Sequence, residues 1–313
     1  MREDVLIADV VPDEVVAALR ADFTVYPLWL INDRSKFFAS IGRQIRGLVT
    51  TWQMGFSAAL ISKLPTLQVI SVYGTGDQSL DLEAARSRGI VVMNTAIDGT
   101  DACVAEMAMT FALVLGRRVI EADRFVRDGS WLDAPFPATN HFGGKCAGIV
   151  GLGFIGRQIA KRAEAFAMTI AYHDVMPLTD VPYQFYPDLN QLAEDSDVLF
   201  VSCRGGPEAN GMINARILDS LGPRGYLVHI AQARFYDEEA LLLALRGRKI
   251  AGAAIDIFPN EPKVNPEFLT LDNVILSPHV GAITHEVLAR RAELAVNNLK
   301  MFFSGGSLTS RVV

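Results

Sequence analysis

The sequence predicts an α/β protein that contains two doubly wound parallel sheets. Short apolar runs rich in β-branched residues alternate with longer helical runs, and one long helical stretch interrupts the alternation after the first hundred residues. Half of the 313 residues are apolar and a fifth are charged. Strands that alternate with helices build parallel sheets with helices on both faces. This composition is typical of a globular protein that buries a large core.

The first hundred residues are expected to form one sheet and its helices. Buried strands are predicted at Val5–Val10, Gly47–Thr51, Gln68–Tyr73 and Ile90–Met93. Helices such as Asp13–Arg20 and Leu80–Arg88 separate them. One long helix then follows over Asp101–Arg127, because its apolar residues recur on one face, Asp101 is suited to cap its start and Gly129 lies just past its end.

A second series of strands follows that long helix. The predicted strands are Cys146–Val150, Thr169–His173, Val198–Ser202, Tyr226–Ile230, Ala251–Ile255 and Val274–Ser277. The chain closes with an amphipathic helix over Glu286–Phe303. We therefore expect residues 101–284 to form one domain, inserted into another that is made of residues 1–100 and 285–313.

Charge and cysteine usage exclude several classes of function. Lys and Arg number 29 against 35 Asp and Glu, which gives a net charge of −6 and argues against partners such as nucleic acid or an anionic membrane surface. The three cysteines, Cys103, Cys146 and Cys203, lack metal-ligand spacing and indicate thiols in a reducing compartment, with no metal site. The longest uncharged stretch runs from Gly47 to Ser62, too short for a membrane span, so a cytoplasmic location is expected.

A glycine-rich turn predicts a dinucleotide site. The motif Gly151-Leu-Gly153-Phe-Ile-Gly156 follows one predicted strand and opens a helix. Gly151 permits a tight turn, Gly153 lets the backbone approach a pyrophosphate, and Gly156 lets the helix pack on the strand. Asp174, at the end of the next strand, is placed to bond a ribose 2′-hydroxyl and to repel a 2′-phosphate, which favours NAD. Arg204, after a later strand, is suited to attract a 2′-phosphate and leaves NADP open.

His279 is the candidate acid–base residue among the five histidines. It follows a predicted strand at its carboxyl end, where open α/β sheets bind their ligands. Glu261 lies in another loop at the same edge, and a carboxylate beside a histidine favours the proton-donating imidazolium. Asp256, at the end of the strand before Glu261, is placed to reach a nicotinamide carboxamide.

Several motifs in the same order resemble the NAD(P)-dependent D-isomer-specific 2-hydroxyacid dehydrogenase family, in particular its glyoxylate/hydroxypyruvate reductases. They are Gly74-Thr-Gly76, Val104-Ala-Glu106, the Gly151 turn, Asp237-Glu-Glu-Ala-Leu241, Gly252-Ala-Ala-Ile-Asp256 with Glu261-Pro262, and Pro278-His279-Val-Gly281. The resemblance implies a Rossmann-type dinucleotide domain inserted into a flavodoxin-like substrate domain. It also implies a homodimer, formed through the 101–127 helix and the 130–145 loop.

The resemblance implies roles for individual residues. His279 matches the general acid that protonates the carbonyl oxygen of a 2-ketoacid, and Glu261 matches its carboxylate partner. The loop that holds the substrate carboxylate through backbone N–H groups matches Tyr73, Gly74, Thr75 and Gly76. The implied cofactor positions are Val104, Gly151, Gly153, Phe154, Ile155, Gly156, Asp174, Cys203, Arg204, Ala231, Asp256 and Gly281.

One departure affects the catalytic set. The family carries Asn-x-x-Arg-Gly before Asp-Glu-x-Ala-Leu, and an ungapped match places its catalytic arginine on Gln232. A neutral amide donates a weaker hydrogen bond than a guanidinium. Four explanations stay open: Arg234 takes over, the substrate is smaller or less charged, the protein is a low-activity dinucleotide-binding sensor or regulator, or the alignment slips. The expected function is hydride transfer between NAD(P)H and a small 2-ketoacid such as glyoxylate or hydroxypyruvate.

Overall fold

The computed structural model describes residues 2–74, 79–96, 99–308 and 310–313. The chain divides into two compact units. The first unit comprises Met1–Asp98 and Thr284–Val313, and the second comprises Gly99–Ile283. Each unit is built around one parallel sheet, as the alternating pattern predicts.

The described residues of the first unit form five parallel strands and the helices that connect them. The strands are β1 (Asp4–Ile7), β2 (Thr24–Pro27), β3 (Ile45–Thr51), β4 (Val69–Tyr73) and β5 (Val91–Asn94). The helices are α1 (Asp13–Asp22), α2 (Arg34–Ile41), α3 (Ala58–Ser62) and α4 (Leu82–Ser87). The sheet order is β2-β1-β3-β4-β5, which is the flavodoxin-like order. The edge strand β2 was not predicted, because it is short, partly exposed and ends in a proline.

The second unit contains seven parallel strands. Two helices open it, α5 (Thr100–Arg117) and α6 (Val119–Arg127). The strands are β6 (Cys146–Val150), β7 (Thr169–His173), β8 (Gln184–Phe185), β9 (Val198–Val201), β10 (Tyr226–His229), β11 (Gly252–Ile255) and β12 (Val274–Leu276). The connecting helices are α7 (Phe154–Ala165), α8 (Leu189–Glu194), α9 (Ala215–Leu221) and α10 (Glu238–Arg246). The order β8-β7-β6-β9-β10-β11-β12 is the Rossmann order extended by one strand.

The prediction of one continuous helix over 101–127 is wrong. Arg118 adopts a left-handed backbone with φ 50° and separates α5 from α6. Gly99, at φ 95°, is the N-cap of α5, so Asp101 lies inside the first turn and is not the cap. A negative charge there still interacts favourably with the helix dipole.

The C-terminal helix α11 (His285–Ser304) belongs to the first unit and packs on β4. The Ser71 hydroxyl donates to the Ala295 carbonyl at 3.2 Å, and the Tyr73 hydroxyl donates to the Leu288 carbonyl at 3.2 Å. Among the described residues, none forms a helix long and apolar enough to cross a membrane.

The topology of the second unit places the predicted site residues along one edge of its sheet. Parallel neighbours end at the same edge, and β6, β10, β11 and β12 all end there. The residues of β10 and β11 are all buried and those of β6 nearly so, since helices cover both faces, whereas the residues of the edge strand β12 are only partly buried. The loops that follow these four strands carry the glycine-rich turn, Gln232, Asp256 and His279 respectively.

Candidate active site

The glycine-rich turn after β6 requires glycine at two positions. Gly151 has φ 87°, and a Cβ there would lie 2.4 Å from the Cys203 Cα atom. A Cβ on Gly156 would lie 2.2 Å from the Gly151 carbonyl oxygen. The Ser202 hydroxyl donates to that same carbonyl at 2.9 Å and closes the turn. The main chain of this turn is therefore held tightly against the strand beside it.

Gly153 leaves open space at the start of α7. A Cβ built on Gly153 meets no atom within 4 Å, and no side chain caps the first turn of the helix. The unpaired N–H groups at a helix N-terminus attract a phosphate. The turn therefore fits the pyrophosphate of a dinucleotide. Phe154, the first residue of α7, is 82% exposed, and Ile155 behind it packs against the core.

Asp174 follows β7 and contacts the glycine-rich turn directly. Its Oδ2 accepts from the Leu152 N–H at 2.9 Å, and its Oδ1 accepts from the Val175 N–H at 2.7 Å. Each carboxylate oxygen keeps a second acceptor position. The side chain thus holds the turn and keeps free acceptor positions, and its hydrogen bond to a ribose hydroxyl stays a prediction.

The loop after β9 holds a half-buried thiol and one exposed arginine, and a second arginine, from the segment after β10, contacts it. Burial raises the pKa of the Cys203 thiol to about 11, so it stays protonated beside the turn. Arg204 is exposed. Arg234 is also exposed, with its guanidinium 5.1 Å from the centre of the Phe235 ring and Nη2 3.5 Å from the Gly205 carbonyl oxygen. Arg234 is therefore placed against this loop.

The structure brings His279 and Glu261 together. His279 Nδ1 lies 2.9 Å from one carboxylate oxygen of Glu261 and 3.1 Å from the other. Glu261 also accepts from the Phe258 N–H at 3.0 Å, which fixes its orientation. Because a carboxylate only accepts, Nδ1 carries a hydrogen and the opposite ring nitrogen, Nε2, is the atom that exchanges a proton. The side chains of both residues are 32% exposed, so the pair is accessible to a ligand.

Asp256 clamps the turn that carries His279. The carboxylate is 97% buried, and its two oxygens accept from the Val280 N–H at 3.0 Å and the Gly281 N–H at 2.9 Å. The Asp256 carbonyl accepts from the His279 N–H at 2.9 Å. His279 has φ 56°, a left-handed conformation that a non-glycine residue keeps only when its surroundings enforce it. The observed role of Asp256 is therefore to hold the turn that carries His279, and its contact with a nicotinamide stays a prediction.

Gly281 closes this turn against Val104. A Cβ on Gly281 would lie 3.0 Å from Asp256 Oδ2 and 3.8 Å from the Val104 methyl groups of α5. The structure thus gathers Val104, Asp256 and Gly281, three of the predicted cofactor residues, beside His279.

Gln232 lies in the segment that follows β10. Ala231 is buried, and Gln232 is half-buried with its side-chain Oε1 inside the protein. The backbone carbonyl of Gln232 lies 3.2 Å from His229 Nε2. His229 was not predicted as a site residue, because a histidine within a strand pattern is typical of a core position.

The predicted substrate loop is only partly described. Tyr73 is buried and directs its hydroxyl to α11, and Gly74 has φ 119°. The Gly74 N–H donates to the Thr95 hydroxyl at 2.7 Å, and a contact of this segment with a substrate carboxylate stays a prediction. Thr75 and Gly76 lie outside the described residues.

Comparisons with known proteins agree with this arrangement. Residues 109–281 match the family described as D-isomer specific 2-hydroxyacid dehydrogenase, NAD binding domain. The chain is 39% identical to glyoxylate/hydroxypyruvate reductase A HPR2 of Arabidopsis thaliana over 295 residues. This alignment covers 94% of each protein. The chain belongs to the D-isomer specific 2-hydroxyacid dehydrogenase family.

Solved structures of this family share the whole fold. A 2-hydroxyacid dehydrogenase from Ketogulonicigenium vulgare Y25 aligns with a TM-score of 0.95 at 36% identity, over 100% of this chain and 99% of that one. An NADPH-dependent glyoxylate/hydroxypyruvate reductase from Sinorhizobium meliloti, solved with NADP and malonate, aligns with a TM-score of 0.86 at 31% identity, over 100% and 97%. The family membership makes this chain an NAD(P)-dependent oxidoreductase of 2-hydroxyacids.

Proposed function

We propose that the protein reduces a small 2-ketoacid, such as glyoxylate or hydroxypyruvate, to the 2-hydroxyacid, and that His279 is its general acid. The observation that carries this proposal is the His279–Glu261 hydrogen bond on the same sheet edge as the dinucleotide turn. The second unit would hold the dinucleotide, and the first unit would hold the substrate carboxylate.

The chemistry assigned to these residues is a proton transfer. A bound nicotinamide supplies the hydride. His279 delivers the proton from Nε2 to the substrate carbonyl oxygen, and Glu261 holds the imidazole in place through Nδ1. Asp256 keeps the backbone of His279 in the conformation that presents the ring. A positioned acid of this kind contributes about 10²–10⁴ in rate.

We further propose that Gln232 takes the position of the family's arginine as a neutral donor to the substrate. The contacts of Arg234 with the Gly205 loop support a role on the cofactor side, which leaves the substrate without a fixed positive charge from this segment. A charge-assisted hydrogen bond is worth about 1.5–3 kcal/mol and a neutral one about 1 kcal/mol. Gln232→Arg is therefore expected to raise kcat/KM for a 2-ketoacid about tenfold.

NAD is the proposed preferred cofactor. Asp174 is hydrogen-bonded to the glycine-rich turn and places a carboxylate beside it. The next two residues, Val175 and Met176, are exposed and apolar. A carboxylate at this point opposes a 2′-phosphate. Arg204 is the residue that would favour NADP, and separate measurement of KM for NADH and NADPH with Asp174→Ala and Arg204→Ala decides between the two.

We propose a cytoplasmic homodimer. The free thiols of Cys146 and Cys203 are typical of a reducing compartment. None of the residues of α6, all of which are described, is buried, although the helix is strongly amphipathic. Apolar side chains exposed on α6 and the following loop offer a self-complementary surface: Val119, Ile120, Val126, Trp131 and Leu132.

The test is consumption of NADH and NADPH by the purified protein with a panel of 2-ketoacids. The parent is expected to turn over at least one of them, and His279→Ala to lower kcat at least 100-fold with the Kd of NADH unchanged. His285→Ala, a change of an exposed histidine at the start of α11, is the matched control and should keep full activity. A parent rate that His279→Ala leaves intact would support the alternative, a dinucleotide-binding sensor or regulator.

A further inference from the structure

Three side chains at the end of β10 and in the segment that follows it have buried polar atoms, and we call them the His229 cluster: His229, Gln232 and Tyr236. His229 is fully buried, and Tyr236 is 4% exposed. Within the described part of the chain, His229 Nδ1, Gln232 Oε1 and the Tyr236 hydroxyl are buried without a hydrogen-bond partner. Such unpaired atoms are costly and rare, so their concentration at one place calls for a functional reason.

The protonation of His229 follows from its contacts. Nε2 lies 3.2 Å from the Gln232 carbonyl oxygen, which only accepts, so Nε2 carries the hydrogen and Nδ1 a lone pair. Burial lowers the pKa of the imidazole to about 4, which keeps the ring neutral. The hydrogen bond ties the backbone at Gln232 to the end of β10, and complete burial keeps water from replacing it.

Tyr236 fixes the imidazole from its other side. The two rings lie 4.8 Å apart, edge to face at 72°. Burial, together with the negative charges of Glu238 and Glu261, raises the pKa of the Tyr236 hydroxyl, so it stays protonated. Since Glu261 is the partner of His279, the His229 cluster lies within electrostatic reach of the catalytic pair.

We propose that His229 is a positioning residue for substrate binding: its Nε2–H group holds the Gln232 carbonyl and thereby directs the Gln232 amide toward the 2-ketoacid. This inference rests on the proposed function, in which that amide donates to the substrate. A neutral amide offers two N–H donors where a guanidinium offers five. The direction of Gln232 therefore decides whether it donates at all, and a rigid backbone attachment supplies that direction.

The test is a double-mutant cycle between His229 and Gln232. His229→Phe keeps a ring against Tyr236 and removes the N–H donor. It is expected to lower kcat/KM for glyoxylate about fivefold to tenfold, chiefly through KM, with the Kd of NADH unchanged within about twofold. In the Gln232→Ala background the same change should cost less than about twofold, because the residue it positions is gone. His229→Gln, which restores an N–H donor, should recover most of the loss.

The outcomes separate this inference from the proposed function. An equal loss from His229→Phe in both backgrounds, or a matching loss of NADH affinity, overturns the role of His229 and leaves the proposed function standing. A parent that reduces no 2-ketoacid and whose NADH complex does not bind oxamate, a 2-ketoacid analogue, overturns both. If His229→Phe does not fold, Tyr236→Leu replaces it, because this variant removes the ring that holds the imidazole. The double-mutant cycle with Gln232→Ala and the outcomes that decide it stay the same.

Discussion

The two hydrogen bonds that the Asp256 carboxylate accepts predict that Asp256→Asn lowers stability. An asparagine has the same shape but only one side-chain oxygen, so one of the Val280 and Gly281 N–H groups would face an amide nitrogen. The variant loses one charge-assisted hydrogen bond and leaves a buried donor unpaired, which costs about 2 kcal/mol. For a unit of this size that corresponds to a Tm lower by about 4–8 °C.

The same substitution is expected to lower kcat. His279 keeps its left-handed backbone because the turn around it is clamped, so release of the clamp displaces the imidazole. A displacement of about 1 Å can cost on the order of 100-fold in rate, and we expect a loss of about 10-fold to 100-fold. The assay pairs steady-state kinetics with thermal unfolding followed by circular dichroism.

A matched control comes from an exposed carboxylate of the same unit. Asp219 pairs with Lys249 at 2.8 Å, and both side chains are more than half exposed. Asp219→Asn should change stability by less than about 0.5 kcal/mol and leave kcat unchanged. The reasoning is refuted if Asp256→Asn keeps the parent Tm and kcat but binds NADH more weakly, because Asp256 would then serve the cofactor and not the turn.

Three further predictions concern stability, catalysis and assembly. His229 has a pKa of about 4 in the folded protein against 6.5 when unfolded. Its contribution to the free energy of unfolding is therefore fully present above pH 6.5 and is lost as the pH falls to 4. Urea unfolding at several pH values should show that acid lowers the stability of the parent by about 3 kcal/mol more than that of His229→Asn. Glu261→Gln keeps a hydrogen bond to His279 but removes its charge, and should lower kcat about tenfold with the Kd of NADH unchanged, whereas an unchanged kcat would contradict the pairing. Leu132→Asp, at a side chain that is 93% exposed, should convert the proposed dimer to a monomer in light scattering, and a parent that is already monomeric would contradict that surface.

The sequence allowed both sheets to be predicted because their strands are apolar runs separated by clear turn residues. The strand bounds at Cys146–Val150 and Thr169–His173 agree with the structure residue for residue. The edge strands β2 and β8 were missed, since each is short and partly exposed and lacks the apolar run of a buried strand. The break at Arg118 was also missed, because the amphipathic pattern continues across it and the nearby Gly116 lies inside α5, not at the break.

Identifying the candidate site depended on glycine spacing and on residues that follow strands. Those signals pointed to the Gly151 turn and to His279. The sequence did not reveal the hydrogen bonds of Asp256, the Gly74 N–H and His229, because their partners lie far away in the sequence or in the core. No local pattern encodes such pairings, because tertiary packing decides which backbone groups a side chain meets.

The central claim is that His279 delivers the proton to the substrate oxygen in the step that consumes NADH. The most direct measurement is a single turnover of the NADH complex mixed with glyoxylate, followed by stopped-flow absorbance in H₂O and in D₂O. We expect the rate in the parent to be slower in D₂O, and the rate in His279→Ala to be at least about 100-fold lower, with NADH still bound. A His279→Ala variant that oxidises NADH as fast as the parent would contradict the claim.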